Sequence, residues 1–149
     1  MIRNLTLLAT AGILAGGIAA AAASDDPIAD RQMMMKNTGA AIGTLAKMAK
    51  GEMEFDATAA NLAVRTMNNA AIGFVHLFPE DSMEGGDTEA GPKIWEDMAG
   101  FVEKARAMET VTADAIAFPA ESLDDVKEQL GKIGGTCKAC HDDYRVKKS

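Results

Sequence analysis

The strongest constraint on the fold lies near the C-terminus. Leu123, Val126, Leu130, Ile133, Cys137, Cys140 and Tyr144 recur at intervals of 3, 4, 3, 4, 3 and 4, the spacing of one face of an α-helix. Ser122 and Asp125 have the spacing of a capping box ahead of it. Gly134-Gly135 weakens the helix by about 1 kcal/mol per glycine relative to alanine, which leaves room for a local kink there. The two cysteines are in phase with the apolar face, so whatever they hold faces the interior of the fold.

The rest of the chain follows the same period. Asp26-Pro27 predicts a helix start, a cap followed by proline at the first position. The apolar stripe from there is Ile28, Met35, Ile42 and Leu45, fading near Lys50-Gly51. Asp56 predicts the cap of a second helix with an inner face of Ala60, Val64, Met67, Ala71, Phe74 and Phe78, ended by Pro79. Glu80 to Gly91 reads as a loop centred on Gly85-Gly86. Pro92 is expected to open a third helix through Ile94, Met98, Phe101, Ala105, Met108 and Thr112, closed by Phe118-Pro119. No period-2 strand pattern competes, and β-branched and aromatic residues are sparse. Four helices of about 20 residues with short connections imply antiparallel neighbours. The expected fold is all-α, an antiparallel up-down-up-down four-helix bundle.

The N-terminus reads differently. A short start with Arg3 leads into an uncharged Leu/Ala/Gly run over Leu5 to Ala20, then Ala21-Ala22-Ala23, the layout of a cleaved secretory leader. Residues 1–23 are therefore expected to be a signal peptide and 24–149 one domain. Asp25 and Asp26, rather than a basic cluster, follow the run, which argues against a retained membrane anchor. The net charge of −7 becomes one unit more negative once Arg3 leaves. A surface this acidic disfavours nucleic acid and anionic lipid as partners and suits a basic redox partner.

Export places the two cysteines in an oxidising compartment, where an ordinary pair would bond. Two cysteines one helical turn apart would close a very short loop, so a structural disulfide is the weaker reading. Cys137-Lys138-Ala139-Cys140-His141 fits C-x-x-C-H, the attachment pattern of c-type haem. Each thiol would add to one of two neighbouring vinyl groups, and His141 would offer its imidazole to the iron. A zinc site would need two more ligands, and the other histidine is His76. A thioredoxin-like pair would need a βαβ context that is absent. Periplasmic localisation follows from the leader, since this haem is attached outside the cytoplasm. His76 itself reads as a surface or satisfied core residue.

With this motif near its C-terminus the chain resembles the class II cytochromes c, and cytochromes c prime in particular. Asp30-Arg31-Gln32, Met35-Lys36, Lys50-Gly51-Glu52, Phe55-Asp56-Ala57, Gly85-Gly86-Asp87, Pro92-Lys93-Ile94-Trp95 and Cys137 through Arg145 carry the resemblance. It implies one covalent haem c with His141 as proximal ligand. It also places Arg31 and Gln32 near the haem propionates, Glu84 near the haem edge, and Arg145 on the proximal side. A homodimer through the first two helices is a further implication, and Ala40, Ala41 and Gly43 leave room for one.

The sixth iron position separates two functions. In this family the place of Met35 lies over the open haem face. Packed there without ligating, it leaves a five-coordinate, high-spin iron that binds a diatomic gas such as nitric oxide or carbon monoxide and exchanges electrons. Ligating, it gives a low-spin His/Met electron carrier. The five-coordinate form is the leading expectation and the His/Met carrier the alternative. Met33, Met34 and Met48 read as core filler or surface. A peroxidase-like enzyme is disfavoured, because no His, Arg or Asn stands on the distal stripe.

Overall fold

The computed structural model describes residues 26–147, so the expected leader lies outside the described residues. Helix α1 (Pro27–Ala49) begins as expected: the Asp26 side chain accepts from the Ala29 N–H at 2.9 Å, with proline at the first position. It ends at Ala49, and two residues on Gly51 takes a φ of +74°, a left-handed conformation that glycine adopts without strain. Helix α2 (Ala57–Phe74) is capped by Asp56, which accepts from the Ala59 N–H at 3.0 Å. A 3₁₀ turn, Val75–Leu77, tightens the chain before Pro79.

The expected third helix is two helices. Helix α3 (Lys93–Glu96) is a single turn, and α4 (Met98–Ala117) starts afresh after Asp97. Asp97 leaves the helical region (φ −136°, ψ 60°) and its carboxylate accepts from the Gly100 N–H, capping α4. The same carboxylate accepts from the Tyr144 hydroxyl at 2.8 Å. Apolar spacing runs smoothly across this break, which is why periodicity alone misses it.

Helix α5 (Leu123–Tyr144) carries the full capping box: Ser122 accepts from the Asp125 N–H, and the Asp125 carboxylate accepts from the Ser122 N–H. It runs unbroken through Gly134-Gly135. Helix α1 packs on α2 and α5, and α4 packs on the same two, which closes the four-helix square. Among the described residues no helix is long and apolar enough to cross a membrane.

Two apolar clusters fill the square. One joins Leu45, Met48, Val64, Met67, Val126 and Ile133, all fully buried. The other is aromatic: Phe78, Phe101 and Tyr144 with Phe74 and Trp95 against them. Five of the chain's seven aromatic residues therefore sit together. Their rings meet edge-on or tilted at centroid distances of 4.8 to 6.1 Å, the favoured aromatic arrangements.

The helix-start chemistry yields a stability prediction. Ser122→Ala removes the N-cap of α5 and is expected to cost about 1 kcal/mol, read as a lower urea midpoint with an unchanged slope.

Candidate haem site

Between the two clusters lies a cavity of about 590 Å³, within the usual range of about 300–1,000 Å³ for small-molecule sites. Cys137, Cys140 and His141 from α5 line it, with Met35, Thr38 and Ile42 from α1 and Phe74 from α2. Phe78, Ile94, Phe101 and Tyr144 complete the apolar wall.

The expected α1 stripe and the observed buried residues of α1 are offset for this reason. The buried set is Arg31, Thr38, Ala41, Leu45 and Met48. Met35 and Ile42 are only partly buried because they face the cavity. Met48 is core, while Met33 is surface at 62% exposure.

The two cysteines are unbonded and half-buried. Burial pushes both thiols above their ordinary range, with Cys137 adding a repulsive influence on Cys140. His141 lies at the exposed edge of the cavity. Partial desolvation lowers its pKa, and Arg145 lowers it further. Both effects favour neutral imidazole, the form that binds a metal.

Arg31 is 3% exposed, at the top of α1, and knots the loop that follows α2. One guanidinium nitrogen donates to Ser82 Oγ at 2.9 Å and to the Leu77 carbonyl at 3.3 Å. The other donates to the Ser82 carbonyl at 2.8 Å and to Thr88 Oγ1 at 2.9 Å. Its Cζ lies over both neighbouring rings, 5.0 Å from the Phe78 ring centre and 5.7 Å from that of Trp95. Gln32 donates to the Asp87 carbonyl at 2.9 Å. Both residues line the cavity, yet their visible bonds go to the loop.

That loop turns at Gly85 and Gly86, with φ of +120° and +52°. These φ values favour glycine, while Ile28 would stand in ordinary van der Waals contact, 3.5 Å from a Cβ at either position. Glu84, expected near the haem edge, is exposed and stands outside the cavity lining. Asp87, Thr88 and Glu89 reach the lining instead. Lys36 also lines it, one turn after Gln32. His76 is exposed.

The Cytochrome C′ family profile matches residues 26–145. The chain belongs to the cytochrome c′ family. A cytochrome c′ from Rhodopseudomonas palustris is 38% identical over 146 residues, 98% of this chain and 99% of that one. A solved cytochrome c′ structure from that species superposes with a TM-score of 0.79 at 36% identity, covering 85% of this chain and 100% of the other. A cytochrome c-556 from Agrobacterium tumefaciens (strain apple 185) is 38% identical over 120 residues, covering 79% and 93%. A nitric oxide complex of a cytochrome c prime variant from Alcaligenes xylosoxidans superposes with a TM-score of 0.70 at 30% identity, covering 81% and 94%.

Cytochromes of this family hold haem c covalently, and the residues present fit that group. The thiols and imidazole stand on one helix at the cavity wall, and the rest of the wall is largely apolar. Arg31 Nε is buried with no hydrogen-bond partner. An orphaned donor of this kind is costly and suits a carboxylate guest. Lys36 brings a second cation to the same wall.

The Tyr144–Asp97 bond predicts an acid-side effect. Donation from Tyr144, then from the Gly100 N–H, holds the Asp97 carboxyl below its usual value. Burial and this bond push the Tyr144 phenol up to about 12. A depressed carboxyl contributes stability that is complete above its unfolded pKa of about 3.9 and is lost as pH falls through the folded value. Tyr144→Phe should therefore lower the denaturant midpoint at neutral pH and flatten its decline between about pH 5 and 2, compared with the parent.

Proposed function

We propose that this protein is an exported, periplasmic cytochrome c′ whose haem iron is five-coordinate, binds diatomic gas and exchanges electrons. In this reading residues 1–23 are the cleaved leader and 24–149 the haem domain. Cys137 and Cys140 form the two thioethers, and His141 is the proximal ligand. The observation that carries the reading is the placement of Cys137, Cys140 and His141 on the wall of one cavity with Met35, Ile42 and Phe74.

Bound there, haem c supplies a redox-active iron able to take a small axial ligand. The chain's own residues do the rest. Ile42, Phe74, Phe78 and Phe101 exclude water from the pocket, leaving an apolar space suited to an uncharged diatomic. Among the described residues no second histidine lines the wall, so no strong distal hydrogen-bond donor of that kind polarises a bound gas. Arg31 Nε and Lys36 on α1 would hold the haem's carboxylates, and Gln32 braces the loop through its bond to the Asp87 carbonyl. The nitric oxide complex of the Alcaligenes xylosoxidans relative supports gas binding. Exposed Met33, Leu62 and Ile72 on α1 and α2 support the homodimer through those helices.

The alternative has its own support: Met35 lines the same cavity, half-buried, and a cytochrome c-556 is among the relatives. With Met35 as sixth ligand the protein would be a closed electron carrier, its potential raised by the thioether.

Absorption spectra of the haem-loaded protein decide between them. A high-spin spectrum that shifts readily under nitric oxide or carbon monoxide, and is little altered by Met35→Ala, is expected. A low-spin spectrum with a methionine-to-iron charge-transfer band, abolished by Met35→Ala, would establish the carrier instead. His141→Ala should remove the native iron spectrum in either case.

A further inference from the structure

The edge of the cavity beside His141 carries an ion pair that haem attachment and gas access leave unused. Glu89 and Arg145 both line the cavity. Arg145 Nε donates to Glu89 Oε2 at 2.5 Å, and Arg145 Nη2 pairs with the same oxygen. The partners come from separate parts of the chain, the loop before α3 and the residue just past α5.

Backbone bonds frame the pair. The Val146 N–H donates to the Glu89 carbonyl at 2.9 Å, and the Gly91 N–H donates to the Tyr144 carbonyl at 2.8 Å. Ala90 and Arg145 form an isolated antiparallel bridge between these bonds. A Cβ at position 91 would stand 2.9 Å from the Tyr144 carbonyl oxygen, so this close approach requires glycine. The Arg145 N–H also donates to the His141 carbonyl at 3.2 Å. Arg145 is thus tied by its backbone to the last turn of α5 and by its side chain to Glu89.

The two side chains are 44% and 38% exposed, and half-exposed pairs contribute little to fold stability. Their consequence is electrostatic. Both side chains line the same cavity as His141, and Arg145 stands four residues beyond it, so both charges lie at the edge where the iron's ligand sits. Without Glu89, the guanidinium would stand near the proximal ligand as an uncompensated positive charge.

We propose that Glu89 is a positioning residue of the haem site: it clamps Arg145 beside His141 as a neutral pair and thereby sets the reduction potential of the iron. The proposal rests on the haem reading above. Removing the carboxylate disfavours the ferric state, which carries one more positive charge than the ferrous state, so the potential must rise. Removing the guanidinium must lower it, and removing both must cancel.

The test uses the full haem-loaded chain as parent, Glu89→Gln, Arg145→Gln and the double variant. Each is read by spectroelectrochemical titration at low and at high salt, with thermal midpoint and absorption spectrum alongside. Glu89→Gln keeps the backbone bonds and is expected to retain the parent's spectrum. At a fixed applied potential its ferrous-to-ferric ratio should rise by about tenfold, equivalent to about 59 mV for one electron. The shift should shrink at high salt. Arg145→Gln should shift the ratio the other way, and the double variant should return close to the parent. An unchanged potential in Glu89→Gln with the parent's spectrum would overturn the proposal and leave the pair a surface contact. A shift accompanied by a changed spin state would overturn it too, by tracing the effect to ligand displacement. Absence of covalent haem in the parent chain would refute the haem reading and this proposal together, which separates the two failures.

Discussion

A small helical domain that gives about 590 Å³ between its helices to a haem must hold that space in shape with the side chains around it, because interiors tolerate little misfit. The remaining contacts must hold the walls apart and in register. Arg31 does most of this at the end of α1. Its buried guanidinium joins Leu77, Ser82 and Thr88 and lies against Phe78 and Trp95. Removing its side chain would leave several carbonyl and hydroxyl acceptors unpaired at once. The cation is therefore a hinge-pin for the loop as well as a wall of the cavity, and only Nε is left over for a guest.

A second set of contacts works from the other end of the same loop. Asp97 ends α3, caps α4 and accepts from Tyr144, so one carboxylate couples the loop, the third wall of the bundle and the end of α5. The bridge at Ala90 and Arg145 adds a backbone link just beyond it. Aromatic rings from α2, α4 and α5 then fill the space between these ties. The haem cysteines stand where this aromatic cluster meets the aliphatic one: Cys137 packs on the aliphatic side and Cys140 on the aromatic side. Covalent attachment at that seam would join the two halves of the core.

The helices and the attachment motif were legible because they depend on local rules. Asp26, Asp56 and Ser122 each cap the helix that its position implies, and the stripe ending in Cys137, Cys140 and Tyr144 faces inward as its period requires. The break at Asp97 was missed because apolar spacing runs smoothly across it; Asp97 caps α4 through the nearby Gly100 N–H and also accepts from Tyr144, 47 residues away. The role of Ile28, Met35 and Ile42 was half legible. Their spacing marks an apolar face, but spacing cannot distinguish packing against protein from lining a space for a guest.

The sequence by itself determined the helical content, the bundle and the chemistry of Cys137-Lys138-Ala139-Cys140-His141, because capping, periodicity and residue spacing act over a turn or two of chain. Tertiary structure alone decided which charges reach the site. Glu84 stays in solvent while Glu89 pairs with Arg145, and Arg31 spends four hydrogen bonds on a loop that begins 46 residues later. Loop closure brings such groups together through a few glycine turns and backbone bonds, and no periodicity in the chain encodes where a loop side chain will land.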